Sequence, residues 1–232
     1  MSIFERTSQL IGDNKLKKLN NSHVAVFGVG GVGGYTLEML ARAGVGELTI
    51  VDFDVVSESN INRQIIALHS TVGKLKVDVF KVRLLDINPN LKLNVFPVKF
   101  CADTLEEIFK TNFDYVVDAI DDVDNKILLI ETCHNKNIKI VSAMGAGNRC
   151  DIPNFEVSDI YKTYNDGLAK VMRKKLKQCG IEKHNVVFTK SISTPNGKTV
   201  GSISYYPSMC GCVMSAYVIN ELTKDIKDKN ID

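Results

Sequence analysis

No C-x-x-C pair occurs among the six cysteines of this chain (Cys101, Cys133, Cys150, Cys179, Cys210 and Cys212). A four-cysteine zinc site, which two such pairs usually announce, is therefore not expected. The first residues lack the basic, apolar and small-residue segments of a secretory signal. The most apolar late stretch, Met209 to Ile219, falls well short of the roughly 20 residues that span a bilayer. These absences point to a cytoplasmic protein with reduced thiols and no membrane partner. Cys210 and Cys212 stand in a run of apolar and small residues and read as core thiols. A formal net charge of +2 is too small to argue alone for nucleic acid or membrane as a partner. The four histidines, His23, His69, His134 and His184, have no motif spacing to one another. No Ser-His or Cys-His constellation is evident, so an enzymic nucleophile is not the first expectation. Internal repeats and low-complexity linkers are absent as well.

What is present is an alternating rhythm, in a composition (44% hydrophobic, 24% charged) ordinary for a soluble globular protein. "HVAVFGVG" is an apolar run that breaks on glycine, as a buried strand does when it feeds a turn. A helical pattern with Leu37, Leu40 and Ala41 follows, and Gly44 is placed to cap it. "LTIVDFD" reads as a second strand. A helix with Leu75, Val79, Val82 and Leu85 on one face comes next, closed by Pro89. "LKLNVFPVKF", "YVVDAID" and "KIVSAMGAG" read as further strands, separated by helical "TLEEIFKT" and "NKILLIETCHNKN". Strands alternating with helices predict an α/β fold, a doubly wound, mainly parallel Rossmann-like sheet. After Gly147 the rhythm changes. "FEVSDIYKT" reads as strand and turn, "GLAKVMRKKLKQCG" as a basic helix ended by Gly180, and "NVVFTKS" and "TVGSISYYP" as extended runs around a "TPNGK" turn. A last helix over "CVMSAYVINELTKDI" precedes a frayed polar tail. Residues 1–232 thus read as one domain, with a nucleotide-binding core over 1–147. A C-terminal α+β elaboration over 148–232 is expected to carry substrate specificity.

The stretch Val26 to Gly34, "VFGVGGVGG", has G-x-G-x-x-G spacing at Gly28, Gly30 and Gly33, with Gly31 between them. Glycines here allow a sharp turn, approach of backbone to phosphate and close helix–sheet packing, and the helix start offers N–H groups to an anion. Asp52, at the end of the next strand, is placed to accept from ribose hydroxyls. A dinucleotide dehydrogenase would show the same glycines and the same acid, so this pattern does not choose between NAD and ATP.

The segments that follow, "VDFDVVSESNINRQ", Lys76 and "VVDAIDDVDN", resemble the ubiquitin-activating-enzyme-like family of ATP-dependent adenylyltransferases. The resemblance implies ATP and Mg²⁺ in place of NAD. By its motif Asp52 would hold the ribose and Asp54 would lie near the phosphate and metal end. Asn60, Arg63 and Lys76 would contact the triphosphate, with Asn62 and Gln64 in the same motif, and Asp121 would bind Mg²⁺. The residue types suit the chemistry. A carboxylate attacking the α-phosphorus of ATP brings two anions together, and cations with a metal must offset that charge. Arg63 offers a planar fork and Lys76 a point charge, while Mg²⁺ needs only one or two protein carboxylates.

"SAMGAGN", "FEVSDIYKTYNDGLAKVMRKKLKQCGI", "GSISYYPSMCG", "INRQIIALHSTVGKLKV" and "DINPN" are similar to the tRNA-modifying branch of that family, over roughly residues 6 to 220. That branch implies adenylation of the threonyl carboxylate of a threonylcarbamoyl group, carried by the adenosine beside the anticodon. An atom of the same nucleoside then closes a ring with net loss of water, so a high effective molarity replaces an enzymic nucleophile. The alternative within the family is an activator of the Gly-Gly terminus of a ubiquitin-like sulfur carrier, a branch that usually carries the zinc pairs this chain lacks. The family uses an N-terminal arginine that reaches ATP, in related enzymes from the neighbouring subunit; Arg6 is the one arginine in that neighbourhood here, and in that role it implies a homodimer with shared sites. A sulfur-transfer protein partner is left open. Between Tyr161 and Lys198, nine Lys/Arg face only Asp166 and Glu182. With Arg173, Lys174, Lys175 and Lys177 on the basic helix, this patch is the expected RNA contact, although a solvated face would show the same charges.

Overall fold

Five consecutive buried residues, His23–Phe27, form the central strand β1. Val24 and Val26 point to one core, Ala25 and Phe27 to the other, so the strand is apolar on both faces and reads as an unbroken run. The fold is that of a computed structural model, described for residues 2–194, 197 and 199–226. The turn expected at 194–198 and the tail at 227–232 lie partly or wholly outside those residues, as does Lys198.

Two short helices precede β1, α1 (Glu5–Ile11) and α2 (Asp13–Asn20). Then follow α3 (Gly33–Ala43), β2 (Glu47–Val51), α4 (Lys76–Ile87), β3 (Lys92–Phe96), α5 (Ala102–Ile108), β4 (Tyr115–Asp118), α6 (Val123–Asn135) and β5 (Ile140–Ala143). The last third adds β6 (Phe155–Asp159), α7 (Gly167–Gln178), β7 (Asn185–Thr189) and α8 (Tyr205–Thr223). The strands form one sheet in the order β3-β2-β1-β4-β5-β7-β6, parallel except for β6, which runs antiparallel to β7. The expected doubly wound α/β sheet is present. Its winding reverses between β1 and β4, and the crevice beyond their carboxyl ends is where such sheets bind ligands.

One core lies under α3, α4 and α8, built on Leu37, Leu40, Phe80 and Met214. The other lies under α6 and α7, built on Phe27, Leu129, Ile130 and Met172. Gly44 ends α3 in the left-handed region (φ 98°), and Gly180 follows α7 with φ 73°, both where the sequence places a stop. Cys210 is buried, its thiol pushed up to about 12 by burial, while Cys212 is half-buried.

Three expectations need correction. On α4 the buried apolar residues are Val77, Phe80 and Leu84, and Val82 is 73% exposed. The helix turns its i, i+3, i+7 face to the sheet, with Leu75, Val79 and Leu85 on the flank. Residues 199–203 form no strand, and α8 begins at Tyr205 rather than near Cys212. Pro207 is tolerated there because the first turn of a helix has no internal partner for its N–H groups. The helices α1 and α2 have no counterpart in the sequence reading. Both are only seven or eight residues long and polar, and Leu19 is their one buried residue, so neither stands out as a core helix in the sequence.

Helix α8 packs on α3 across Gly211. A Cβ at that position would stand 2.4 Å from Val32 O, at the start of α3. Gly211→Ala should therefore destabilise the fold by about 1–3 kcal/mol through overpacking, read as a lower midpoint of urea unfolding with an unchanged slope.

Candidate active site

The turn that leaves β1 requires Gly28. Its φ is +81°, and a Cβ there would lie 2.6 Å from Ala119 O at the end of β4. Gly30 and Gly31 then line a cleft of about 730 Å³ over the carboxyl ends of β1, β2 and β4, a size in the usual range for small-ligand sites. Gly33 begins α3 without lining the cleft.

Asp52, just past β2, is buried, and both its oxygens are engaged. Oδ2 accepts from Val29 N–H at 2.7 Å and Oδ1 from Asp54 N–H at 2.8 Å. Burial pushes its pKa up, and the two N–H groups and Lys76 pull it back. Lys76, the first residue of α4, is buried and donates to Asp54 Oδ2 at 2.8 Å, so both face the cleft as an ion pair. Asn60 ends a 3-10 turn (Glu58–Asn60) and its Oδ1 accepts from Ser57 N–H at 3.1 Å. Arg63 is steered by Ser59 O at 2.7 Å and Asn62 Oδ1 at 3.0 Å. Gln64 is buried on the cleft wall, and its Oε1 has no hydrogen-bond partner among the described residues. Asp121 is exposed on the opposite rim.

Ten of the residues singled out in the sequence thus share one cleft: Gly28, Gly30, Gly31, Asp52, Asp54, Asn60, Arg63, Gln64, Lys76 and Asp121. Asn62 does not line it. Its Nδ2 donates to Ser202 O at 3.0 Å and ties the segment before α8 to the motif. Arg6 lies exposed on α1, away from the cleft of its own chain. On α7, Arg173 is committed to Thr163, whose carbonyl it meets at 3.0 Å, and Lys175 is paired with Asp124, whereas Lys174 and Lys177 are exposed. Among the described residues no group of three or more His, Cys, Asp or Glu is placed to hold a metal.

The sequence profile of the ThiF family matches residues 4–231. The chain belongs to the ThiF family. A tRNA threonylcarbamoyladenosine dehydratase of Bacillus subtilis is 40% identical, over 98% of this chain and 97% of that protein. One of Escherichia coli is 38% identical, over 75% of this chain and 65% of that protein. The crystal structure of the E. coli tRNA N6-threonylcarbamoyladenosine dehydratase in complex with ATP matches with a TM-score of 0.91. It is 32% identical, and the match covers 95% of this chain and 93% of that one.

This ThiF-family cleft also uses residues the sequence reading passed over. Val98, Phe100 and Ile120 form an apolar end, and Val200, Ser202 and Pro207 close the side nearest α8. Beneath it lies a fully buried ion pair, Asp118 with Lys126, at 2.9 Å. Lys126 Nζ donates to Ile120 O at 3.0 Å and Asp118 Oδ1 accepts from Ile120 N–H at 3.1 Å, so the pair clamps the turn that carries Asp121. Burial pushes the pKa of Asp118 up, with Lys126 and Ser142 opposing. Ser142 Oγ also lies 2.8 Å from Nε2 of His184, which burial pushes down to about 3 and so keeps neutral. A lone lysine beside the apolar Ile127, Leu129 and Ile130 was the one signal in the sequence.

Lys126→Met leaves a buried carboxylate unpaired and should cost about 3–5 kcal/mol in urea unfolding. Adding Asp118→Asn should recover part of that loss, since the remaining groups are then both uncharged.

Proposed function

We propose that this chain is an ATP-dependent tRNA-modifying enzyme. It adenylates the threonyl carboxylate of threonylcarbamoyladenosine beside the anticodon and closes that group to a ring. The observation that carries the reading is a cleft of about 730 Å³ lined by Arg63 and Lys76, in a chain 40% identical end to end to a tRNA threonylcarbamoyladenosine dehydratase. The core at 1–147 binds the nucleotide, and 148–232 carries specificity for the RNA.

The glycine turn and the N-terminus of α3 receive phosphate on backbone N–H groups. Asp52, already fixed by two N–H groups, presents its remaining lone pairs to the ribose. Asn60 and Gln64 supply polar contacts on the same wall, and Asn62 holds that wall to Ser202. Lys76 moves part of its charge from Asp54 to the arriving triphosphate, and Arg63 spreads two donors over phosphate oxygens. The threonyl carboxylate oxygen attacks the α-phosphorus and the bond to pyrophosphate breaks. An atom of the same nucleoside then attacks the acyl carbon, its proton passes to solvent, and AMP leaves with the former carboxylate oxygen. Water is lost only in this formal sense, and no cysteine or serine need attack. Asp121 supplies a hard oxygen donor on the cleft rim, suited in type to Mg²⁺, which would offset phosphate charge when bound. The proposal includes a homodimer in which Arg6 serves the neighbouring cleft, and a cytoplasmic location. No helix among the described residues is long and apolar enough to cross a membrane.

Incubation with Mg-ATP and threonylcarbamoyl-modified tRNA, followed by digestion and mass analysis of nucleosides, should show loss of the mass of one water. No loss, together with ATP–pyrophosphate exchange driven by a small protein ending in Gly-Gly, would replace this reading with sulfur-carrier activation.

Of the four α7 cations proposed to face RNA, Lys174 and Lys177 are exposed, Arg173 is held by Thr163, and Lys175 pairs with the exposed Asp124, a surface contact that an RNA phosphate can replace. Reversing Lys174 and Lys177 to Glu should weaken tRNA binding and lower the slope of log affinity against log salt by roughly 1 per residue. Calorimetry should find ATP binding unchanged.

A further inference from the structure

Arg149 belongs to none of the motifs above and does not line the cleft, yet its side chain is only 3% exposed. Main-chain carbonyls hold its guanidinium. Nη1 donates to Gly145 O at 2.8 Å and Gly147 O at 3.1 Å, Nη2 to Asn165 O at 3.1 Å, and Nε to Ser191 O at 3.1 Å. Asp166, 1% exposed, sits 3.8 Å from Nη2 and compensates the buried charge. Asp166 in turn accepts from Gly145 N–H and from Ala169 N–H, each at 2.9 Å, and the second contact caps α7.

Two of the gripped segments have a place in the proposed chemistry. Ala146 and Gly147 form part of the cleft wall, and the carbonyls that Nη1 holds belong to the residues on either side of Ala146. Asn165 and Asp166 lead into the first turn of the basic helix. One rigid fork therefore joins the wall of the nucleotide cleft to the N-terminus of α7, and neither can shift without breaking bonds to the other. The linkage is local: among the described residues, the hydrogen bonds and ion pair of Arg149 fall within the segment after β5, the start of α7 and the exit of β7.

We propose that Arg149 is a positioning residue that couples occupancy of the nucleotide cleft to the start of α7. Nucleotide binding then steadies the surface on which RNA docks, and RNA binding tightens the nucleotide by the same factor, as linkage requires. The RNA half rests on the function proposed above. The nucleotide half does not, and it is tested without RNA.

The probe is a non-hydrolysable ATP analogue with Mg²⁺, and the readout is amide hydrogen exchange at Gly145 and Ala169. Saturating the wild-type protein should slow both amides by about fivefold or more, the lower end of usual coupling. Arg149→Met should abolish the slowing at Ala169 while the protein still binds the analogue. Arg149→Lys keeps a charge beside Asp166 but loses the fork, and it should give an intermediate value. It also serves if the methionine variant does not fold. No slowing in the wild type, or full slowing in either folded variant, overturns the proposal. In a second arm, modified tRNA and analogue should each tighten the other equally in the wild type and not in Arg149→Met. Arg149-dependent slowing in a protein that does not dehydrate the tRNA would sink the function proposal and leave the coupling standing.

Discussion

The cleft rests on a main-chain contact, Gly28 against Ala119, at the point where β1 and β4 part. Nothing larger than a hydrogen atom fits on Gly28 there, so each side of the contact must be held still by something other than bulk. Two buried carboxylates do this. Asp52 accepts from Val29 N–H and holds the glycine turn to the end of β2. Asp118, with Lys126, grips the N–H and the carbonyl of Ile120 and holds the turn after β4. Burying an ion pair is costly unless its other donors and acceptors are satisfied. Here Ile120 meets both members of the pair, and Ser142 opposes the rise in the Asp118 pKa that burial causes.

The same economy of charge runs through the rest of the site. Each acid raised by burial has a lysine opposing it, Lys76 for Asp52 and Lys126 for Asp118. Of these lysine–carboxylate pairs, Lys76 with Asp54 has a half-exposed partner, the Asp54 side chain being 48% exposed, whereas Asp118 is fully buried. That makes Lys76 the cation whose contacts an anionic ligand can exchange without uncovering a buried charge. Fixed dipoles and charges of this kind need little reorganisation when charge develops at a phosphate.

Much of this was legible in the chain. Strand and helix alternation through β5, the stops at Gly44 and Gly180, and the clustering of the Gly28, Asp52, Arg63 and Lys76 motifs follow from periodicity, turn chemistry and resemblance. The failures have physical causes. Val82 satisfies the helical period on α4 but faces solvent, because the sheet takes the neighbouring face. The β-rich composition of "TVGSISYYP" suggested extension. Yet Tyr206 is buried and belongs to the first turn of α8, where packing overrides propensity. Arg173 and Lys175 look like any surface cations in sequence, and only their neighbours Thr163 and Asp124 reveal them as engaged.

By itself the sequence determined the fold class, the glycine turn after the first strand and the family, because these depend on local spacing and on residue types with few alternative uses. Tertiary structure alone decided which charges are available. Lys126 and Arg149 are lysine and arginine like any others until the fold buries them, and although Asp118, Gly145 and Gly147 lie near them in the chain, only folding sets these groups and Asp166 around the buried charges. A charge takes its role from its dielectric surroundings and its partners, and the fold sets both.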